Sequence, residues 1–111
     1  GKTDISDRFS ARSTSGSLPV AYKLEQNYPN PFNPTTTIAF YLERETEIKL
    51  EVYNIVGQKV AVLAEGRYSA GNHQVVFDGR SATGEEVASG IYFYRLTGEN
   101  INEIRKMTLM R

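Results

Sequence analysis

The chain has no cysteine, no tryptophan, a single histidine (His73) and no surplus of either charge, with thirteen Lys and Arg against thirteen Asp and Glu in 111 residues. Without cysteine there is no disulfide stapling, no thiol catalysis and no Cys/His zinc cluster. A formal net charge of zero provides no basic surplus to grip a phosphate backbone, so nucleic acid is not an expected partner. The compartment stays open, because an exported protein can do without bridges as readily as a cytosolic one. The longest apolar runs, such as Val60 to Ala64 and Gly90 to Tyr94, are far short of the roughly 20 residues that cross a bilayer. A membrane-spanning segment is therefore not expected. No signal-peptide pattern opens the chain, and its Gly1 start reads as a piece of something longer. The length allows one ordinary domain.

What is present is unevenly distributed. Residues 1–17, GKTDISDRFSARSTSGS, hold five serines and two threonines with only Ile5, Phe9 and Ala11 as apolar residues, too little to offset the entropy of ordering. They read as a flexible linker preceding a domain over residues 18–111. All four prolines then fall together, at Pro19, Pro29, Pro31 and Pro34. Proline fixes φ, removes a donor and pushes its predecessor out of the helical region. Gln26, Asn27, Tyr28, Pro29, Asn30, Pro31, Phe32, Asn33 and Pro34 are accordingly an extended, stiff strap.

From Thr35 onward the pattern is period two. Ile38, Phe40 and Leu42 share one parity, and Ile48, Leu50 and Val52 repeat it, as expected of half-buried strands. Further runs over Lys59–Leu63, Asn72–Phe77, Ile91–Thr97 and Ile104–Leu109 complete about six strands, with single glycines between them at turn spacing. The competing reading is a helix over Leu42–Tyr53. It would stack Glu43, Glu47 and Glu51 at repelling i, i+4 positions and scatter Ile48, Leu50 and Val52, so strand is favoured. An all-β sandwich follows, with Ile38, Phe40, Leu42, Ile48, Leu50, Val52, Val60, Val75, Phe77, Tyr92, Tyr94 and Leu96 facing inward.

The chain offers little for catalysis. His73 lies between Asn72 and Gln74 with no nucleophile motif nearby. The Asp78–Glu85 loop lacks the alternating carboxylates of a calcium site and reads as a turn closed by an Asx hydrogen bond. No catalytic residue, metal site or cofactor is expected. The seven tyrosines allow one other reading from the residues alone: a carbohydrate-binding or adhesive module with Tyr41, Tyr53 and Tyr68 as its platform.

A resemblance carries the reading further. Leu24–Ile38, with its Gln26–Pro34 strap, resembles the opening signature of the type A C-terminal sorting domains of the type IX secretion system, found in Bacteroidetes. Val52–Val60 is similar to that family's VYNxxGQxV segment, Ala70–Val75 to AGxHxV, Phe77–Gly79 to WDG with Phe77 in place of tryptophan, and Ser89–Leu96 to SGxYFYRL. The closing Lys106–Arg111 resembles the family's short basic and apolar tail. Glu43 stands where many relatives have proline, and Arg111 where lysine is frequent. A related Ig-like module of flagellar hook-capping proteins is similar over Asp78–Leu96, but the proline-rich opening and the tail favour the sorting family.

The resemblance implies an Ig-like antiparallel β-sandwich of about seven strands. It also implies a non-catalytic signal that directs upstream cargo domains of the same chain from the periplasm through the outer-membrane type IX translocon, with shuttle proteins as partners, to the surface or the medium. A sortase-like signal peptidase is expected to remove the domain and attach the cargo to the surface. An unstructured segment suits such cutting, which points to Phe9, Ser10, Ala11, Arg12, Ser13, Thr14, Ser15, Gly16 and Ser17. Recognition is expected at Gly90, Tyr92, Lys106, Met107, Leu109 and Arg111. Arg105, Lys106 and Arg111 would supply a charged handle on a terminal strand able to add to a partner's sheet.

Overall fold

The computed structural model describes residues 20–111. Among the described residues seven strands run in order: β1 (Tyr22–Leu24), β2 (Thr36–Leu42), β3 (Thr46–Asn54), β4 (Lys59–Tyr68), β5 (Gly71–Phe77), β6 (Gly90–Gly98) and β7 (Ile101–Leu109). They form two antiparallel sheets, β1-β2-β5 and β4-β3-β6-β7. The fold is therefore an all-β sandwich, and the segment considered for a helix is strand. No helix among the described residues is long and apolar enough to cross a membrane.

The period-two faces meet in one core. Ile38, Phe40 and Leu42 of β2 and Leu50 and Val52 of β3 are buried together with Phe77, Tyr94 and Leu96. Two expected inward residues, Val60 and Val75, only pack against this core from its margin. For Val60 the reason is local. The β3–β4 register shifts between Leu50 and Glu51 and again between Val52 and Tyr53, so β4 carries extra residues. Such a bulge re-aims the side chains beyond it, and Ala61 and Ala64, three apart, are the residues that turn inward.

Several elements exceed the alternating runs. β4 reaches Tyr68 and β7 starts at Ile101, while β1 is three residues long, too short to show any period. Leu24, Phe32, Ile101, Met107 and Leu109 join the core although periodicity did not assign them to it. The linker, the proposed cut segment Phe9–Ser17 and the domain's first residues, Leu18 and Pro19, lie outside the described residues.

Candidate recognition site at the strapped C-terminal strand

The prolines explain why residues 26–34 are not a strand, and the hydrogen bonds explain what they are instead. β7 is a sheet edge, and alternate residues of an edge strand leave N–H and C=O groups unpaired. The strap takes up those of the C-terminal half. The Phe32 N–H donates to the Thr108 carbonyl at 2.9 Å, and the Met110 N–H donates to the Phe32 carbonyl at 2.9 Å, making a parallel bridge between Phe32 and Leu109. The Thr108 N–H donates to Asn30 Oδ1 (3.0 Å), and Gln26 Nε2 donates to the Lys106 carbonyl (2.8 Å). Phe32 anchors the arrangement. Its ring is buried and meets Phe77 edge-on, with centroids 5.9 Å apart.

The strap's own start is fixed from inside the sandwich. Asn27 is buried; its N–H donates to Tyr94 Oη (2.8 Å), and its Nδ2 donates to the Pro29 carbonyl and to Thr36 Oγ1. The Tyr94 hydroxyl in turn donates to the Glu25 carbonyl at 2.6 Å. Burial pushes the Tyr94 hydroxyl up to about 12, against the opposing effect of its bond from Asn27. A buried amide keeps its place only when its polar atoms are paired, so the asparagine at this position locks the turn into the strap.

The chain end is docked rather than dangling. The Arg111 N–H donates to Ser89 Oγ (2.9 Å), its Nε to the Val87 carbonyl (2.8 Å) and its Nη2 to the Gly79 carbonyl (2.6 Å), with Glu86 3.9 Å from Nη1. Gly79 has φ +74°, and a Cβ there would lie 2.8 Å from Arg111 Nη2 and 3.0 Å from the Pro34 carbonyl oxygen. Only glycine leaves room for this approach. The Asp78 turn is closed by an Asx bond from the Arg80 N–H to Oδ1, 3.1 Å long, as the loop composition predicts.

The expected recognition residues come together at one end of the β6–β7 pair, where Gly90 faces Leu109 and Tyr92 faces Met107. Their exposure separates them. Met107 and Leu109 are buried, as is most of Tyr92, whose hydroxyl donates to the Ala88 carbonyl. Lys106 and Met110 are exposed, and so is Tyr28 of the strap at 80%. Two of the three residues of the expected charged handle are held by partners. Arg105 donates from Nε to the Leu24 carbonyl and pairs with Glu103, and Arg111 is held by carbonyls, whereas Lys106 makes no ion pair among the described residues. Met110 of the tail and Tyr28 of the strap, absent from the expected handle, are exposed residues that the apolar pattern alone could not separate from core.

The structure does not gather the other candidates. Tyr41 points outward from β2, Tyr53 lies on the outer face of β3 beside Phe93 and Ile104, and Tyr68 meets Phe40 and His73 at the far end of β4, so the three form no single platform. His73 stacks on Phe40 at 5.2 Å, and its Nε2 lies 2.7 Å from the Ser69 carbonyl. Among the described residues no group of His, Asp and Glu is placed to hold a metal ion. On the outer face Glu51 is buried under Lys59 Nζ (2.8 Å) and the Tyr53 hydroxyl (2.8 Å). Burial would raise its carboxyl, but these two partners outweigh that and hold it below the usual range.

These features define a class: an Ig-like β-sandwich whose proline strap binds its own last strand. Residues 26–110 match the family model described as the secretion system C-terminal sorting domain, and the chain belongs to that family. Part of dimeric latent PorU from Porphyromonas gingivalis has a similar fold, with a TM-score of 0.68 at 18% identity over 89% of this chain and 10% of that one. PorZ, a surface component of the type IX secretion system of the same organism, gives 0.53 at 19% identity over 83% and 11%. The hook-capping protein FlgD from Xanthomonas campestris gives 0.55 at 18% identity over 78% and 65%. This chain thus spans about a tenth of the PorU and PorZ chains. No curated protein matches it.

Proposed function

We propose that this domain is a folded, non-catalytic address that carries upstream cargo of the same chain through the outer-membrane type IX translocon to the surface or the medium. The observation that supports it most directly is the pinned terminal strand. Backbone bonds join strap and tail into one rim, with Tyr28 exposed on the strap and Lys106 and Met110 on the tail, while family membership supplies the class of the signal. A translocon or shuttle protein reads this rim; Gly90, Tyr92, Met107 and Leu109 shape it from beneath, and the exposed Arg111 closes its end through its bonds to Ser89, Val87 and Gly79. A sortase-like signal peptidase then cuts within Phe9–Ser17 and attaches the cargo to the surface.

The test is export of a periplasmic reporter fused ahead of the full chain in a bacterium with a working type IX system. Deleting Lys106–Arg111 would be uninformative, because Met107 and Leu109 are core and the deletion would unfold the domain. The exposed set Tyr28→Ser, Lys106→Ser and Met110→Ser avoids that. The wild-type fusion is expected outside the cell, and the triple variant, folded by circular dichroism, in the periplasm. A mature reporter trimmed within Phe9–Ser17 by mass spectrometry supports the processing step. Retention of the wild-type fusion, where a native sorting domain exports the same reporter, overturns the reading.

A further inference from the structure

Among the described residues the sandwich has four edge strands, and three of them carry features that prevent pairing. β1 is three residues long. β4 is bulged twice and has its Val60 carbonyl taken by the Ala82 N–H. β7 is strapped along its C-terminal half and carries Glu103, Arg105 and Lys106. Short length, bulges, charge and cover are the known protections of an edge. Among the described residues β5 has none of them. Its seven residues, GNHQVVF, contain no Asp, Glu, Lys, Arg or proline, and they pair with β2 in unbroken register.

The direction of its free groups follows from the opposite side of β2. Thr37 exchanges both backbone bonds with Tyr28, and Ala39 accepts from Glu25, so the odd residues of β2 point away from β5. The even residues therefore bond to β5, at Phe77, Val75, His73 and Gly71. The N–H and C=O groups of Asn72, Gln74 and Val76 are left facing outward, with no backbone partner among the described residues.

We propose that β5 is a self-association edge, and that a second copy of this chain pairs with it antiparallel about a twofold axis at Gln74. In that register Gln74 faces Gln74 of the second copy, and Asn72 and Val76 face each other. All three positions are ones whose free groups point outward, and each such pair exchanges two bonds. No like charges meet, His73 lies opposite Val75 on the core side, and Val76, 57% exposed, gains a neighbour. A closed twofold interface is the commonest form of self-association, and here it joins two three-stranded sheets into one. β7 packs by β1 through Arg105 and Leu24, while β5 lies by β4 through His73 and Tyr68. The pairing therefore leaves the strapped rim of both copies free.

The test is the mass of the full chain by light scattering over a concentration series up to its solubility limit. The wild type is expected to move from 12.5 kDa to twice that mass. Gln74→Lys and Gln74→Glu, each exposed and each placing like charges across the axis, are expected to stay monomeric alone and to form the dimer when mixed. Gln74→Pro removes an outward N–H that no described partner uses, so it tests the hydrogen-bond register without breaking the β2–β5 ladder. Three outcomes overturn the assignment: a wild type that is monomeric throughout, a dimer indifferent to all three variants, or a Lys/Glu mixture that does not pair.

Discussion

At the scale of single residues, Tyr94 shows how a polar atom fixes a strap. Its ring belongs to the core, its hydroxyl donates to the Glu25 carbonyl and it accepts the Asn27 N–H. Tyr94→Phe keeps the ring and leaves both backbone groups without their partner, a loss of about 1–3 kcal/mol to be read from denaturant midpoints. The same hydroxyl couples stability to alkaline pH. Its ordinary value is 10 and burial pushes it to about 12. The folded state holds the proton longer than the unfolded chain, so the stabilisation is complete below pH 10 and falls away as pH rises from 10 to about 12. The alkaline loss of stability in the wild type should therefore be steeper than in Tyr94→Phe. Alternation already placed Tyr94 inward; the partner of its hydroxyl was not legible, because Glu25 and Asn27 are some 70 positions away and only the closed sandwich brings them near.

At the scale of elements, strands that alternate cleanly were the readable ones. β2 begins and ends where its parity does, at Thr36 and Leu42. β4 was readable only as far as its bulges: an inserted residue inverts the face of those beyond it, and Ala61 and Ala64 carry too little side chain to mark which face that is. β1 has no period to show, and its existence depends on the pairing of Lys23 with Tyr41. Gly90, the first residue of β6, is a clear junction. It adopts φ +148° opposite Leu109, a conformation that β-branched residues avoid. A Cβ there would meet nothing within 4 Å, so the cost of Gly90→Val is backbone strain alone, about 1–3 kcal/mol. Most of it should also appear in Gly90→Ala, which shares the strained φ. Equal stability of Gly90→Val and wild type in urea titrations would show that the β6 start relaxes without cost.

At the scale of the whole molecule, the two ends of the described chain are bound into one unit. The motif resemblance identified strap and tail as separate signatures, but which of their residues face solvent depends on the bonds between them, and no spacing in the sequence encodes that. Phe32 illustrates it: amid prolines it has no period to place it inward or outward, yet it is buried against Phe77 while its backbone holds Thr108 and Met110. Phe32→Ala empties a core position, at about 3–5 kcal/mol, and releases the edge of β7 at once. If the strap pins the tail, hydrogen exchange in this variant should accelerate first at Thr108 and Met110, ahead of β3 and the middle of β6, because edge segments open before central strands. Tyr28→Ala, 80% exposed on the same strap, should leave those amides as protected as in the wild type. Uniform acceleration across both sheets in Phe32→Ala would instead make Phe32 ordinary core, and the rim would then owe its rigidity to Asn30 and Gln26.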